Sequence, residues 1–194
     1  MDTNSNDLLG YKMIFSNTKN TNDVLVVAAE RNSAEEVARL LSLDYSRFNC
    51  NKALRVAAEN GHTDCVALLI PVSDPLEDDS ATLYWTVSFG QEFTKGVLEC
   101  VQLLICASDV QAADSRALRK AILLEKFAFV DVLYEHSNPE AVLWDLKRST
   151  PNSLWKQNDY DQAIGYLEER MAREQRATLL QTLTHSHRFL ARKI

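Results

Sequence analysis

The sequence predicts an all-α protein: a solenoid of paired, short antiparallel helices closed by a helical cap at its C-terminal end. Three observations carry this. Glycine and proline number only five and four among 194 residues, too few for the tight turns of a β-sandwich or barrel. Apolar runs rich in alanine alternate with polar turns at helical spacing, as in ALRVAAENGHTDCVALLI at residues 53–70. The chain also repeats itself. Helices this short do not persist alone in water, because nucleation is costly and their stability comes from burying a face against neighbours.

The repeats are found by sliding residues 53–70 along the chain. An offset of 29 toward the N-terminus lays Val24 to Glu30 on Ala53 to Glu59 and Val37 to Leu41 on Val66 to Ile70, with no gap. Toward the C-terminus Leu83 and Gly90 fall on Leu54 and Gly61, after which six extra residues, 91–96, precede Cys100-Val101 and the offset stays at 35. A fourth copy places Leu118, Ala121, Val130 and Leu133 on Leu54, Ala57, Val66 and Leu69. Linkers recur as well: Ser73-Asp74 and Asp79-Ser80 return as Ser108-Asp109 and Asp114-Ser115, and Ser73-Asp74-Pro75 as Ser137-Asn138-Pro139. Such a period means units that each leave an apolar face for the next to bury.

Within a unit, Leu54, Ala57 and Ala58 form the packed side of the first helix, and Gly61 ends it in the left-handed conformation. Val66, Leu69 and Ile70 form the buried stripe of the second helix. In the first unit Ser33 followed by Glu36 predicts a capping box. Residues 7–15 predict a short N-terminal cover. After Pro139, AVLWDLKRS and NDYDQAIGYLEERM read as a degenerate fifth pair, followed by a polar helix with Leu179, Leu180 and Leu183 on one side. The array with its cap thus takes residues 1–157, and a C-terminal helical extension packed on it takes 158–194.

The second unit, Ala53-Leu54 through Ala57-Ala58-Glu59-Asn60-Gly61-His62 to Val66 and Leu68-Leu69, resembles an ankyrin repeat. The likeness runs from about Asn22 to Asn138 and fades outward. A Thr-Pro opening is replaced by Asn51-Lys52 or Asp79-Ser80, and the Gly-His turn by Asn32-Ser33, Gly90-Gln91 and Glu125-Lys126 in the other units. The spacing of 29, against about 33 in the family, implies that the projecting β-fingers shrink to turns. What the resemblance implies is a concave surface for a partner protein or peptide, lined by residues flanking the paired alanines. These are Val27, Glu30 and Arg31, then Val56, Glu59 and Asn60, then Trp85, Ser88 and Phe89, then Lys120, Leu123 and Leu124. The first half is charged and polar. The second gathers Trp85, Phe89, Leu123 and Leu124, with no neighbour evident within the stack.

Composition narrows the function. The first hundred residues carry fifteen acidic and eight basic side chains, a balance of −7, and the rest thirteen basic and twelve acidic, a balance of +1, for −6 over the whole chain; no dense basic stripe marks a nucleic-acid binder. No stretch is long and apolar enough for a membrane span, and the N-terminus lacks a basic start followed by an apolar signal core. Cys50, Cys65, Cys100 and Cys106 form no CxxC pair or zinc spacing, which reads as free thiols in a reducing compartment. No GxSxG, GxxxxGK[ST] or HExxH is present. His62 reads as a brace for its turn; His185 and His187, two apart, make a poor metal pair, and SDPLEDDS lacks the glycine of a calcium loop. The expectation is a cytoplasmic, non-catalytic protein–protein interaction scaffold without cofactor or metal, a monomer or weak homo-oligomer. The alternative is an accessory or inhibitory subunit that self-assembles or docks through its C-terminal helix, as a host-directed bacterial effector would.

Overall fold

The computed structural model describes residues 21–42, 47–91, 94, 96–150 and 155–191, and among these lie ten α-helices and no strand. The cover predicted at residues 7–15 lies outside the described residues. The helices are α1 (Thr21–Glu30), α2 (Ala34–Leu41), α3 (Arg47–Glu59), α4 (Thr63–Leu69), α5 (Glu77–Phe89), α6 (Val97–Ala107), α7 (Ala112–Leu123), α8 (Phe127–Tyr134), α9 (Pro139–Arg148) and α10 (Gln157–Ala191). A short 3₁₀ turn, Ile70–Val72, follows α4, so Ile70 lies just beyond that helix and is half-buried.

Two rows result. The odd-numbered helices from α1 to α9 each pack on the next, as do the even-numbered helices from α2 to α8, while α10 lies against α7 and α9. The core between the rows repeats residue for residue. Leu25, Leu54, Leu83 and Leu118 are buried at equivalent places in the first row; Val37, Val66, Val101 and Val130, and Leu40, Leu69, Leu104 and Leu133, are buried in the second. Each such leucine contributes about 1.5–3 kcal/mol by leaving water. Small residues let the rows approach: Ala28, Ala29, Ala57, Ala58 and Ala121 are buried. Where the third unit has Thr86 instead, its hydroxyl donates to the Thr82 carbonyl of its own helix at 2.8 Å, so this buried hydroxyl is satisfied.

The turn between paired helices is the same in three units. Asn32, Gly61 and Glu125 take left-handed φ of 57°, 75° and 56°. In each, two amides close back on the first helix: Asn32 and Ser33 donate to Ala29 and Ala28, Gly61 and His62 to Ala58 and Ala57, Glu125 and Lys126 to Ile122 and Ala121. This is the Schellman pattern that satisfies the last carbonyls of a helix.

The third unit differs, and corrects the predicted register. Gly90 is not the left-handed residue; its φ is −59°. That conformation belongs to Gly96, at φ 95°, so the six extra residues precede the turn glycine. A Cβ on Gly96 would stand 2.1 Å from the Gly61 carbonyl oxygen, which admits only glycine there.

Two further expectations change. Ser33 does begin α2 but its side chain makes no capping bond. Glu36 instead receives Arg39 Nε and Nη2 at 2.7 and 2.6 Å, an ion pair one turn on that occupies its carboxylate. The degenerate second helix of the fifth pair and the polar helix after it are one continuous 35-residue helix, α10, about 50 Å long. Nothing in 157–191 supplies a proline or turn signal to break it. Tyr160, Ala163 and Leu167 are buried on its first half, and residues 173–183 are exposed.

The recurrent linkers have a physical reason. Asn51 Oδ1 accepts the Asp74 amide at 2.6 Å, Ser80 Oγ accepts the Asp109 amide at 2.9 Å, and Ser115 Oγ accepts the Asn138 amide at 2.8 Å. Each side chain pins the start of the next unit to its own, in a ladder of backbone amides held by side-chain oxygens.

Candidate functional site

The residues predicted to bind a partner lie at the ends of the odd-numbered helices and in the turns that follow them. At its N-terminal end Glu30 and Arg31 are exposed, as is Asn60. The Asn60 side-chain amide donates to the Val56 carbonyl at 2.8 Å, closing the end of α3. Glu59 faces Arg55 at 3.7 Å. Its carboxyl is held above the ordinary glutamate range because burial disfavours the charged form, and the Arg55 guanidinium opposes this only in part.

The middle of the face is aromatic. Trp85 and Phe89, one turn apart on α5, stack with centroids 5.4 Å apart and planes only 8° from parallel, and Tyr84 meets Trp85 edge-on at 5.1 Å. Phe89 is 66% exposed. Ser88 does not project a free hydroxyl, since it donates to the Tyr84 carbonyl at 2.8 Å. Two cations from α7 line the rings: Arg116 sits 5.1 Å above Tyr84, and Lys120 lies 6.0 Å from Tyr84 and 5.1 Å from Trp155. Arg116 also donates to the Asp78 and Asp79 carbonyls, which fixes its reach.

The C-terminal end corrects the prediction. Leu123 is not an open groove residue; it is 7% exposed, and Leu124 is half-buried. The segment from Trp155 into α10 lies against Leu123, which forms the wall of a cleft shared with Trp155 and Tyr166. Of the apolar residues that lacked a neighbour in the repeats, Leu123 finds one in the C-terminal helix. The predicted residues therefore separate into a polar end, an exposed aromatic middle and a covered apolar end.

Comparison with protein-family models, with curated proteins and with solved structures finds no match. Among the described residues, no cluster of three or more His, Cys, Asp or Glu side chains could hold a metal ion, and no helix is long and apolar enough to cross a membrane. His62 braces its turn: Nδ1 lies 2.7 Å from the Ala29 carbonyl oxygen, and since that oxygen can only accept, Nδ1 carries the proton. Cys50, Cys65 and Cys100 are buried and Cys106 is exposed. Burial, reinforced by Glu99 and Cys65, pushes the Cys100 thiol up to about 12.

Sequence reasoning missed Tyr84, Arg116 and Trp155. Arg116 stands at the place of Lys52 in the second unit, on the second turn of its helix, whereas the prediction sampled only the last turns. Trp155 lies beyond the repeats, where no internal copy could place it.

Proposed function

We propose that the chain is a non-catalytic binding scaffold of ankyrin-like stacked units, which holds a partner protein or peptide on the odd-numbered row. The observation that carries this reading is the Trp85–Phe89 stack, in which one ring is 66% exposed and both are held parallel. Large rigid rings lose little conformational freedom on binding and dominate interface energetics, especially within a polar surround. Glu59 and Asn60 on one side and Lys120 on the other supply that surround. The four thiols, all free, support a reducing, cytoplasmic setting. In the test, parent and W85A/F89A chains are used as bait, and the affinity of a recovered partner is then measured. The double variant should lose at least tenfold in affinity, about 1.4 kcal/mol, while its melting temperature stays within a few degrees of the parent. Equal affinity, or a collapse in melting, overturns the reading.

A second reading has its own observation. Leu179, Leu180 and Leu183 are 54–64% exposed on the distal half of α10, and exposed leucines on a helix favour a partner helix. Self-assembly through α10 would make the sedimentation coefficient rise with concentration in the parent and not in L179E/L183E. A single-chain mass at high concentration removes it.

A further inference from the structure

A second site lies apart from the aromatic middle, in the cleft of about 370 Å³ between α7, α8 and α10. Its size falls within the roughly 300–1,000 Å³ of ligand sites. Its walls are Phe127, Trp155 and Tyr166 over a floor of Ile122, Leu123 and Ala163, with Glu125, Asp159 and Gln162 as the polar groups. Three aromatic rings and two carboxylates converge there, and no lysine or arginine is among the walls. Aromatic faces attract cations through their quadrupole, more so when partly desolvated, and carboxylates add direct Coulomb attraction.

The rings are held in place before any ligand arrives. Phe127 and Tyr166 lie with centroids 5.0 Å apart. The Tyr166 hydroxyl accepts from Arg170 Nη1 at 3.1 Å, and that same nitrogen donates to Asp131 at 2.6 Å, a pair that does not line the cleft. Trp155 carries the Lys120 ammonium 5.1 Å from its ring, so one cation of the chain itself already rests on this indole. Asp159 is pinned by the Lys156 amide, which donates to Oδ2 at 2.7 Å, leaving further acceptor positions on its carboxylate. The Glu125 carboxylate has no hydrogen bond or ion pair among the described residues, and the residue is exposed. It also stands where the other units use Gly61 or Asn32, in the left-handed conformation.

We infer that this cleft binds an organic cation, an ammonium or guanidinium group, between its aromatic walls with Glu125 and Asp159 as counter-charges. Two sources share that chemistry: the basic side chain of a partner protein and a small quaternary amine.

The test follows the indole N–H resonance of Trp155, assigned with W155F, in the ¹⁵N-labelled full chain. The titrants are tetramethylammonium chloride, Nα-acetyl-lysinamide, Nα-acetyl-argininamide and, as the ionic-strength control, sodium chloride. A saturable shift with an organic cation and none with sodium is expected, weakened about fivefold or more in E125Q. Glu125→Gly removes the same carboxylate while relieving the left-handed conformation, so it folds at least as well as the parent and should weaken binding equally. Stronger response to tetramethylammonium identifies a small amine as the ligand; stronger response to either amino-acid amide identifies a basic side chain. No shift beyond sodium chloride, or equal shifts in parent, E125Q and E125G, overturns the proposal.

Discussion

His62 and Lys126 occupy the same place in the second and fourth units, and both reach back to the first helix of the unit before. They do so with different chemistry. His62 meets one carbonyl, that of Ala29, at 2.7 Å. Lys126 meets three, donating through Nζ to Val87, Ser88 and Gly90 at 2.7, 2.9 and 2.8 Å. The difference lies in the helix being capped. α1 ends in a left-handed turn that already satisfies its last carbonyls, so one ring nitrogen completes the job. In α5 the extra residues carry the chain away at Gly90, and among the described residues several carbonyls at the negative end of the helix receive no amide. An ammonium, with three donors and a positive charge, answers both needs.

The largest effect on this comparison should come from Gly96→Ala. The new methyl meets the Gly61 carbonyl oxygen at 2.1 Å, and the left-handed backbone adds strain of about 1–2 kcal/mol. A total loss of about 2–5 kcal/mol in urea unfolding is expected, since overpacking contributes a further ~1–3 kcal/mol; a loss under about 1 kcal/mol would mean that the insert does not rest on the second unit. Lys126→Met keeps the stem and removes the donors, and should cost about 2 kcal/mol, as for hydrogen bonds to a charged group. His62→Ala should cost only about 1 kcal/mol, for one neutral bond. If the two substitutions cost the same, the turns are not being capped differently.

The smallest effect concerns charge at a helix end. α3 closes on Glu59, an anion where α5 receives a cation. Because burial raises the Glu59 pKa, the folded state binds its proton more tightly than the unfolded state does. The resulting penalty is absent below the ordinary carboxylate range and develops as pH rises through the raised value. Glu59→Gln should therefore melt with the parent in acid and be more stable near pH 7, by about 0.5 kcal/mol. An equal offset at both pH values would point away from ionisation.

Much of the fold was legible because burial repeats with the sequence. Leu25, Leu54, Leu83 and Leu118, at offsets of 29, 29 and 35, share a fate, and so do the valines of the second row. What a repeat cannot announce is an exception to it. Which of two glycines would turn left-handed in the third unit depended on packing against Gly61, a contact between units that no local pattern records. The join between the fifth pair and the C-terminal helix was missed because both are helical and no breaker separates them. At the binding face the aromatic pair was readable from its position, whereas the burial of Leu123 depends on a helix that begins more than thirty residues later and has no counterpart in the repeats.

The amide ladder bears on how the chain reaches its fold. Its three rungs join Asn51 to Asp74, Ser80 to Asp109 and Ser115 to Asn138, so every rung spans less than one and a half units of sequence. Loops that short close quickly and at small entropic cost. Folding can then begin at whichever neighbouring pair forms first and spread outward one rung at a time, as in a one-dimensional array. Unfolding should run the other way, fraying from an end inward, with amide exchange slowest at Asp109, the rung that has another rung on each side.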